Sequence, residues 1–172
     1  MRNALLSILI LAVLLLPIQA LAATATAVIQ GTEETSELFG AVHFEDTDEG
    51  LRIEIALFAA PPGQHGIHIH ENGSCEDRGN AAGSHFNPAG VKHGFISQDG
   101  FEGAHAGDLG NIEINENGEG TLYLIVQGLT VKGKPYGVEG RAVILHEKQD
   151  DFGQPTGNAG GRIGCGVINA NE

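Results

Sequence analysis

Leu51, Ile53, Ile55 and Leu57 alternate with Arg52, Glu54 and Ala56 in one short run. A period of two places the four apolar side chains on one face of a strand, and such faces are buried by packing sheet on sheet or by closing a sheet on itself. Runs of this kind recur, and no stretch sustains a helical period. Thr24 to Gln30 and Leu38 to Phe44 come first, Asp48-Glu49-Gly50 turns the chain into Leu51 to Phe58, and Pro61-Pro62-Gly63 ends that strand. Gly66 to Glu71 begins the next. After a long loop come Gly110 to Asn115, the hairpin signal Asn117-Gly118 and Thr121 to Val126. Val138 to Glu147 and Cys165 to Ile168 complete eight strands. The expectation is an all-β domain, an eight-stranded antiparallel Greek-key β-barrel or immunoglobulin-like sandwich. Two connections, Asn72 to Ala104 and Lys148 to Gly164, are too long for hairpins and mark functional loops.

Residues 1–22 read as a secretory signal peptide: Arg2 gives a positive start, Ala4 to Pro17 is apolar, and Ala20-Leu21-Ala22 is an A-x-A cleavage site. The apolar run is shorter than the roughly 20 residues of a spanning helix, so no membrane attachment is expected of the mature form. One domain is expected over residues 23–172, secreted or periplasmic. Losing Arg2 leaves eight Lys+Arg against 22 Asp+Glu, a formal charge of −14. Nucleic acid and anionic membranes are therefore poor partners. Cys75 and Cys165, alone in an exported chain, suggest one disulfide, with two buried free thiols as the alternative. A bridge would tie the first long loop to the C-terminal segment.

The chemistry concentrates in Gly66 to Gly94. His68 and His70, two apart, share a face of one strand, and His85 and His93 lie on a Gly/Asn/Pro-rich loop able to fold back over it. His105 and Asp108 stand three apart beyond that loop, and His146 ends an apolar strand. Six histidines and a carboxylate could converge into a metal cage: imidazole suits zinc and copper, and three imidazoles with one carboxylate suit tetrahedral zinc. Taken alone, His68 and His70 could simply decorate a strand. His43 reads as a strand residue without chemical role, and His65, facing away from the pair, as a structural hydrogen-bonding group.

The motifs GIHIHENG, HFNPAGVKHG, HAGDLGN, LHEKQDD and GNAGGRIGCGVI, in that order between about Phe39 and Ile168, resemble the copper/zinc superoxide dismutase family. The resemblance implies copper and zinc as cofactors. His68, His70, His85 and His146 fall on the copper ligands and His85, His93, His105 and Asp108 on the zinc ligands, with His85 shared. It also implies a Cys75–Cys165 disulfide, Arg162 as the anion-guiding arginine and Asp150 as the carboxylate linking His68 to His93. The adjacent Asp151 is an equally close candidate by sequence, and a surface salt bridge is the alternative role for Arg162. The implied activity is antioxidant: superoxide anion is converted to dioxygen and hydrogen peroxide by copper redox cycling, with His85 handling a proton. Family members are monomers or dimers, so a homodimer is possible.

The chain departs from the eukaryotic pattern in three places. Cys75 follows His70 by only five residues, the segment between His93 and His105 is slightly longer, and the loop between His146 and Arg162 is shorter, with Lys148 its only base. A rate less sensitive to salt is expected from the last. Two rivals are a metal reservoir or delivery domain without turnover, and a β-sandwich stabilised by zinc alone.

Overall fold

The computed structural model describes residues 22–172. The expected leader therefore falls, apart from Ala22, outside the described residues. The strands are β1 (Thr24–Gly31), β2 (Phe39–Thr47), β3 (Gly50–Phe58), β4 (Gly63–His70), β5 (Asp108–Ile114), β6 (Gly120–Val126), β7 (Ala142–His146) and β8 (Arg162–Ala170). They form one eight-stranded sheet in the order β5-β4-β7-β8-β1-β2-β3-β6, every pairing antiparallel. The two end strands, β5 and β6, are consecutive in the chain and joined by a tight turn, in which Asn115 accepts from Gly118 N–H at 2.9 Å. The sheet thus curls into a nearly closed barrel, the Greek-key form expected.

Alternation fills the barrel. Ala25, Ala27 and Ile29 of β1, Val42 and Phe44 of β2, and Leu51, Ile53, Ile55 and Leu57 of β3 all point inward and are buried. From β4 and β5, Ile67, Ile69, Ile112 and Ile114 join the same core. Each Val, Leu or Ile side chain among these contributes about 2 kcal/mol by leaving water. On β4 the alternation has a chemical consequence: Ile67 and Ile69 go to the core, so His68 and His70 go to the other face.

Beside a later end for β2 at Thr47 and an earlier start for β4 at Gly63, three differences from expectation stand out. Val138 to Arg141 is not strand but a turn, closed by Arg141 N–H to Val138 carbonyl at 3.2 Å, and β7 begins at Ala142. Arg162 does not lie in the second long loop but opens β8, paired with His146 across an irregularity in the β7–β8 ladder. The segment between His93 and His105 contains a short helix, α1 (Ile96–Gly103), broken internally at Gly100, where φ is 61°. It packs Ile96 on the core and stacks Phe101 on Tyr136, ring centroids 4.0 Å apart.

The Cys75–Cys165 disulfide is formed and spans 90 residues. In the chain-entropy account a loop of that size stabilises by at most about 4–5 kcal/mol. It anchors the start of the long ligand loop to β8.

Candidate metal centre

Strand geometry sets out the first donors. His68 pairs with Asp108 on β5 and with Ile144 on β7, while His70 pairs with Ala142. His146 ends β7, beside β4. The long loop comes back along the end of β4: Phe86 N–H donates to Ile69 carbonyl at 2.8 Å, and His85 bridges to His70. Asp108 opens β5, His105 stands just before it, and His93 hangs from the loop between His85 and His105.

Two four-membered groups of donors result, His68, His70, His85 and His146, and His85, His93, His105 and Asp108, each within 4.8 Å mutually and all buried; a third, His68, His93 and Asp150, joins them. His85 belongs to both four-membered groups. Its ring centroid is 4.1 and 4.9 Å from those of His68 and His70, and 5.3 and 5.5 Å from those of His93 and His105. An imidazole has two nitrogens: Nδ1 of His85 lies 2.8 Å from Asp108 Oδ1 in the second group, which leaves Nε2 for the first.

Hydrogen bonds at the far side of each ring fix which nitrogen is free. His70 Nδ1 donates to Gly83 carbonyl at 2.9 Å, and His146 Nδ1 approaches Gly160 carbonyl at 3.4 Å. Their Nε2 lone pairs then face each other at 3.4 Å. His68 Nε2 lies 2.8 Å from Asp150 Oδ2, and His93 Nε2 lies 2.9 Å from the same oxygen. Their Nδ1 atoms are buried without a hydrogen-bond partner, although His93 Nδ1 is only 2.9 Å from Asp108 Oδ2.

Buried lone pairs aimed at one another are costly unless a proton or cation lies between them. The second cluster fits a tetrahedral cation closely. Asp108 Oδ1 is 2.8 Å from His85 Nδ1 and 3.1 Å from His105 Nδ1, and those two nitrogens are 3.5 Å apart. Zinc bonds of 2.0–2.1 Å imply tetrahedral edges of about 3.3 Å. The donor chemistry, three imidazoles and a carboxylate here and four imidazoles in the first cluster, fits zinc and copper respectively.

The electrostatics follow. Burial, then the neighbouring His85, hold His70 down to about 2, and burial and His68 hold His146 down to about 3. Burial outweighs the Asp108 contact and takes His85 to about 4. Burial also opposes charge on His93, but the carboxylates of Asp108 and Asp150 prevail and lift it to about 9. For Asp108, burial is overcome by His105, His85, His93 and the Gly94 N–H, and its pKa falls far below the usual range. Asp150 is lowered in the same way by His68 and His93. His70, His85 and His146 are thereby kept neutral and Asp108 and Asp150 charged, the forms in which these groups bind metal, whereas His93 must give up a proton when a metal ion binds it.

The choice between Asp150 and Asp151 is decided by position. Asp150 is fully buried between the two rings, whereas Asp151 accepts from Gly153 N–H at 2.8 Å and from Asn158 Nδ2, shaping an exposed turn. Glycine at 157, with φ at 77°, lets the chain pass where a Cβ would strike both Asp150 Oδ1 and His93 Nε2. Arg162 spends one amino group on Gly79 carbonyl and the other on Gly83 carbonyl at 2.6 Å. Its remaining N–H groups are uncommitted, and no carboxylate pairs with it among the described ion pairs. His65 is structural as expected, its ring between the carbonyls of His146 and Pro61 at 2.8 Å each. His43 lies on β2, outside both clusters.

Sequence reasoning did not single out Asn111, Gln154, Gly83 or Gly157. Asn111 and Gly157 sit inside the quoted motifs HAGDLGN and GNAGGRIGCGVI, which was the one signal available for them.

Residues 38–168 match the profile of the family described as copper/zinc superoxide dismutase. The chain is 38% identical over 162 residues to an extracellular Cu-Zn superoxide dismutase of Drosophila melanogaster, covering 89% of this chain and 86% of that one. It is 36% identical over 144 residues to an extracellular Cu-Zn superoxide dismutase of Caenorhabditis elegans, covering 80% of this chain and spanning 63% of that relative's length. Among solved structures it resembles the clock protein EA4, at 36% identity and a TM-score of 0.76, covering 90% of this chain and 99% of the other.

Proposed function

The chain belongs to the copper/zinc superoxide dismutase family, and from that premise we propose which of its residues carry the family's reaction. The enzyme converts two superoxide anions and two protons to dioxygen and hydrogen peroxide, with copper and zinc as cofactors. His68, His70, His85 and His146 would hold copper, and His85, His93, His105 and Asp108 would hold zinc. The observation that supports this most is the membership of His85 in both buried donor groups.

Copper, when bound, supplies a one-electron couple, and zinc a fixed positive charge. The chain supplies the rest. Arg162 holds the incoming anion with the N–H groups left free by Gly79 and Gly83; its guanidinium is a local cation in a chain whose remote carboxylates are screened beyond about 8 Å. His85 Nε2, whenever copper does not occupy its lone pair, would hold a proton and give it to the departing peroxide, while its Nδ1 stays aimed by Asp108. Asp150 fixes the tautomers of His68 and His93 together, since one carboxylate accepts from both Nε2 atoms. Burial keeps the rings of His70, His85 and His146 neutral and able to donate a lone pair.

The extracellular relatives support secretion. A signal peptide over residues 1–22, an enzymatic domain over residues 23–172, and a secreted or periplasmic destination are parts of this reading. No described helix is long and apolar enough to cross a membrane. Monomer and homodimer both stay open as assemblies, and the exposed Val28, Phe39, Phe58 and Tyr123 on β1, β2, β3 and β6 offer apolar surface for the second.

Copper and zinc titrations of the purified mature protein, with superoxide removal followed at each step, test the assignment. Turnover should need copper and should vanish in His146→Ala while zinc binding persists. Full activity in His146→Ala would defeat the copper set, and turnover with zinc alone would defeat the reaction.

A further inference from the structure

We infer that Gln154 is a positioning residue for His93: its side-chain amide brackets the His93 main chain and so aims the ring at the zinc position. The inference rests on the reading of His93 as a zinc ligand. Gln154 is an exposed residue of the loop between β7 and β8. Its Oε1 accepts from His93 N–H at 3.1 Å, and its Nε2 donates to His93 carbonyl at 2.9 Å. One side chain thus satisfies both polar groups of a residue that lies in no strand or helix.

Aiming a ring takes two fixed points, its backbone and its far nitrogen. Both are held here by the same few residues. His93 Nε2 is gripped by Asp150 at 2.9 and 3.0 Å, and the His93 main chain by Gln154, four positions further on. That short turn is itself rigid, with Asp151 accepting from Gly153 N–H at 2.8 Å and Gly157 N–H donating to Gly153 carbonyl at 2.6 Å. Behind it, Asn111 brackets the main chain of Asp150 in the same fashion, accepting from its N–H at 2.7 Å and donating to its carbonyl at 2.9 Å. The path Gln154, His93, Asp150, Asn111 runs from an exposed loop to β5 through hydrogen bonds alone. What it leaves free is His93 Nδ1, directed at Asp108. A shortened loop therefore still orders a metal-binding ring, because an amide side chain supplies the contacts that loop length does not.

A purely structural staple would lower thermal stability without discriminating between metals; a positioning residue weakens one metal selectively. The test titrates zinc ions, and separately copper ions, into the metal-free mature protein against a chromogenic chelator. Gln154→Ala, Gln154→Glu and His93→Ala are compared with the parent, and each variant's metal-free melting temperature is recorded. Gln154→Ala should bind zinc about tenfold more weakly with copper affinity unchanged. Gln154→Glu, which keeps the acceptor for His93 N–H and loses the donor, should fall between. His93→Ala should lose tight zinc binding. Unchanged zinc affinity in Gln154→Ala beside a defective His93→Ala overturns the positioning role and spares the zinc reading. Equal weakening of zinc and copper in Gln154→Ala overturns it in favour of a staple. Unchanged zinc affinity in His93→Ala overturns both.

Discussion

Arg162 and His70 share one acceptor, the carbonyl oxygen of Gly83, which receives the arginine at 2.6 Å and the imidazole Nδ1 at 2.9 Å. The proposed anion-holding group and a ring proposed for copper are thereby set by the same atom of the long loop. A guanidinium can reach Gly79 and Gly83 together because its donors form a fixed fork; an ammonium cannot copy that.

Arg162→Ala should therefore lower the second-order rate with superoxide by about tenfold or more, by loss of local attraction, with copper still bound. Arg162→Lys should recover only part of the loss. Pulse generation of superoxide with copper content measured on the same samples checks this, and an unchanged rate removes the arginine from the reaction.

Asp150→Asn should weaken metal binding by about 10–100-fold. The carboxylate accepts from the Nε2 atoms of both His68 and His93, and an amide has only one oxygen to offer. Its NH₂ would face a ring N–H and force one imidazole to turn or change tautomer. Competition with a chelator measures the effect; parent-like affinity for both metals would show that the two rings are aimed by something else.

Much of this arrangement was legible in the sequence because two periods coincide. The alternation that buries Ile67 and Ile69 must send His68 and His70 to the other face, and any pairing of β4 with a neighbour preserves that. The barrel followed from the same alternation in β1 to β3 and from Asn117-Gly118. What was not legible depends on contacts distant in the chain. Val138 lies in the apolar core like a strand residue, but its neighbours turn, so the start of β7 could not be seen from hydropathy. The helix α1 is too short to sustain a period. Asp150 and Asp151 have the same local chemistry, and only the return of the loop onto His93 tells them apart. Gln154 looks like loop surface until His93 is placed beside it.

The metal-free protein should be most stable near neutrality. His70, His85 and His146 have folded pKa values of about 2, 4 and 3 against 6.5 for the unfolded chain. The unfolded state therefore binds more protons below pH 6.5, so their contribution is present above that value and lost as pH falls towards 4. His93 has the opposite sign: raised to about 9 from 6.5, it contributes fully below 6.5 and loses that contribution as pH rises through 9. Each proton changes stability by up to about 1.4 kcal/mol per pH unit, so the acid side, with three rings, should be steeper. Denaturant midpoints of the metal-free protein between pH 4 and 10 measure this. A rise in stability continuing through pH 9 would show that His93 carries no proton in the folded state.

Both proposed metal positions depend on one ring. Diffraction from crystals of the protein loaded with copper and zinc, recorded on both sides of each absorption edge, locates the two ions independently. Two separate peaks should flank His85, copper beside its Nε2 with His68, His70 and His146, and zinc beside its Nδ1 with His93, His105 and Asp108. A His85 ring in contact with only one of the ions would contradict the shared site and the proton transfer assigned to it.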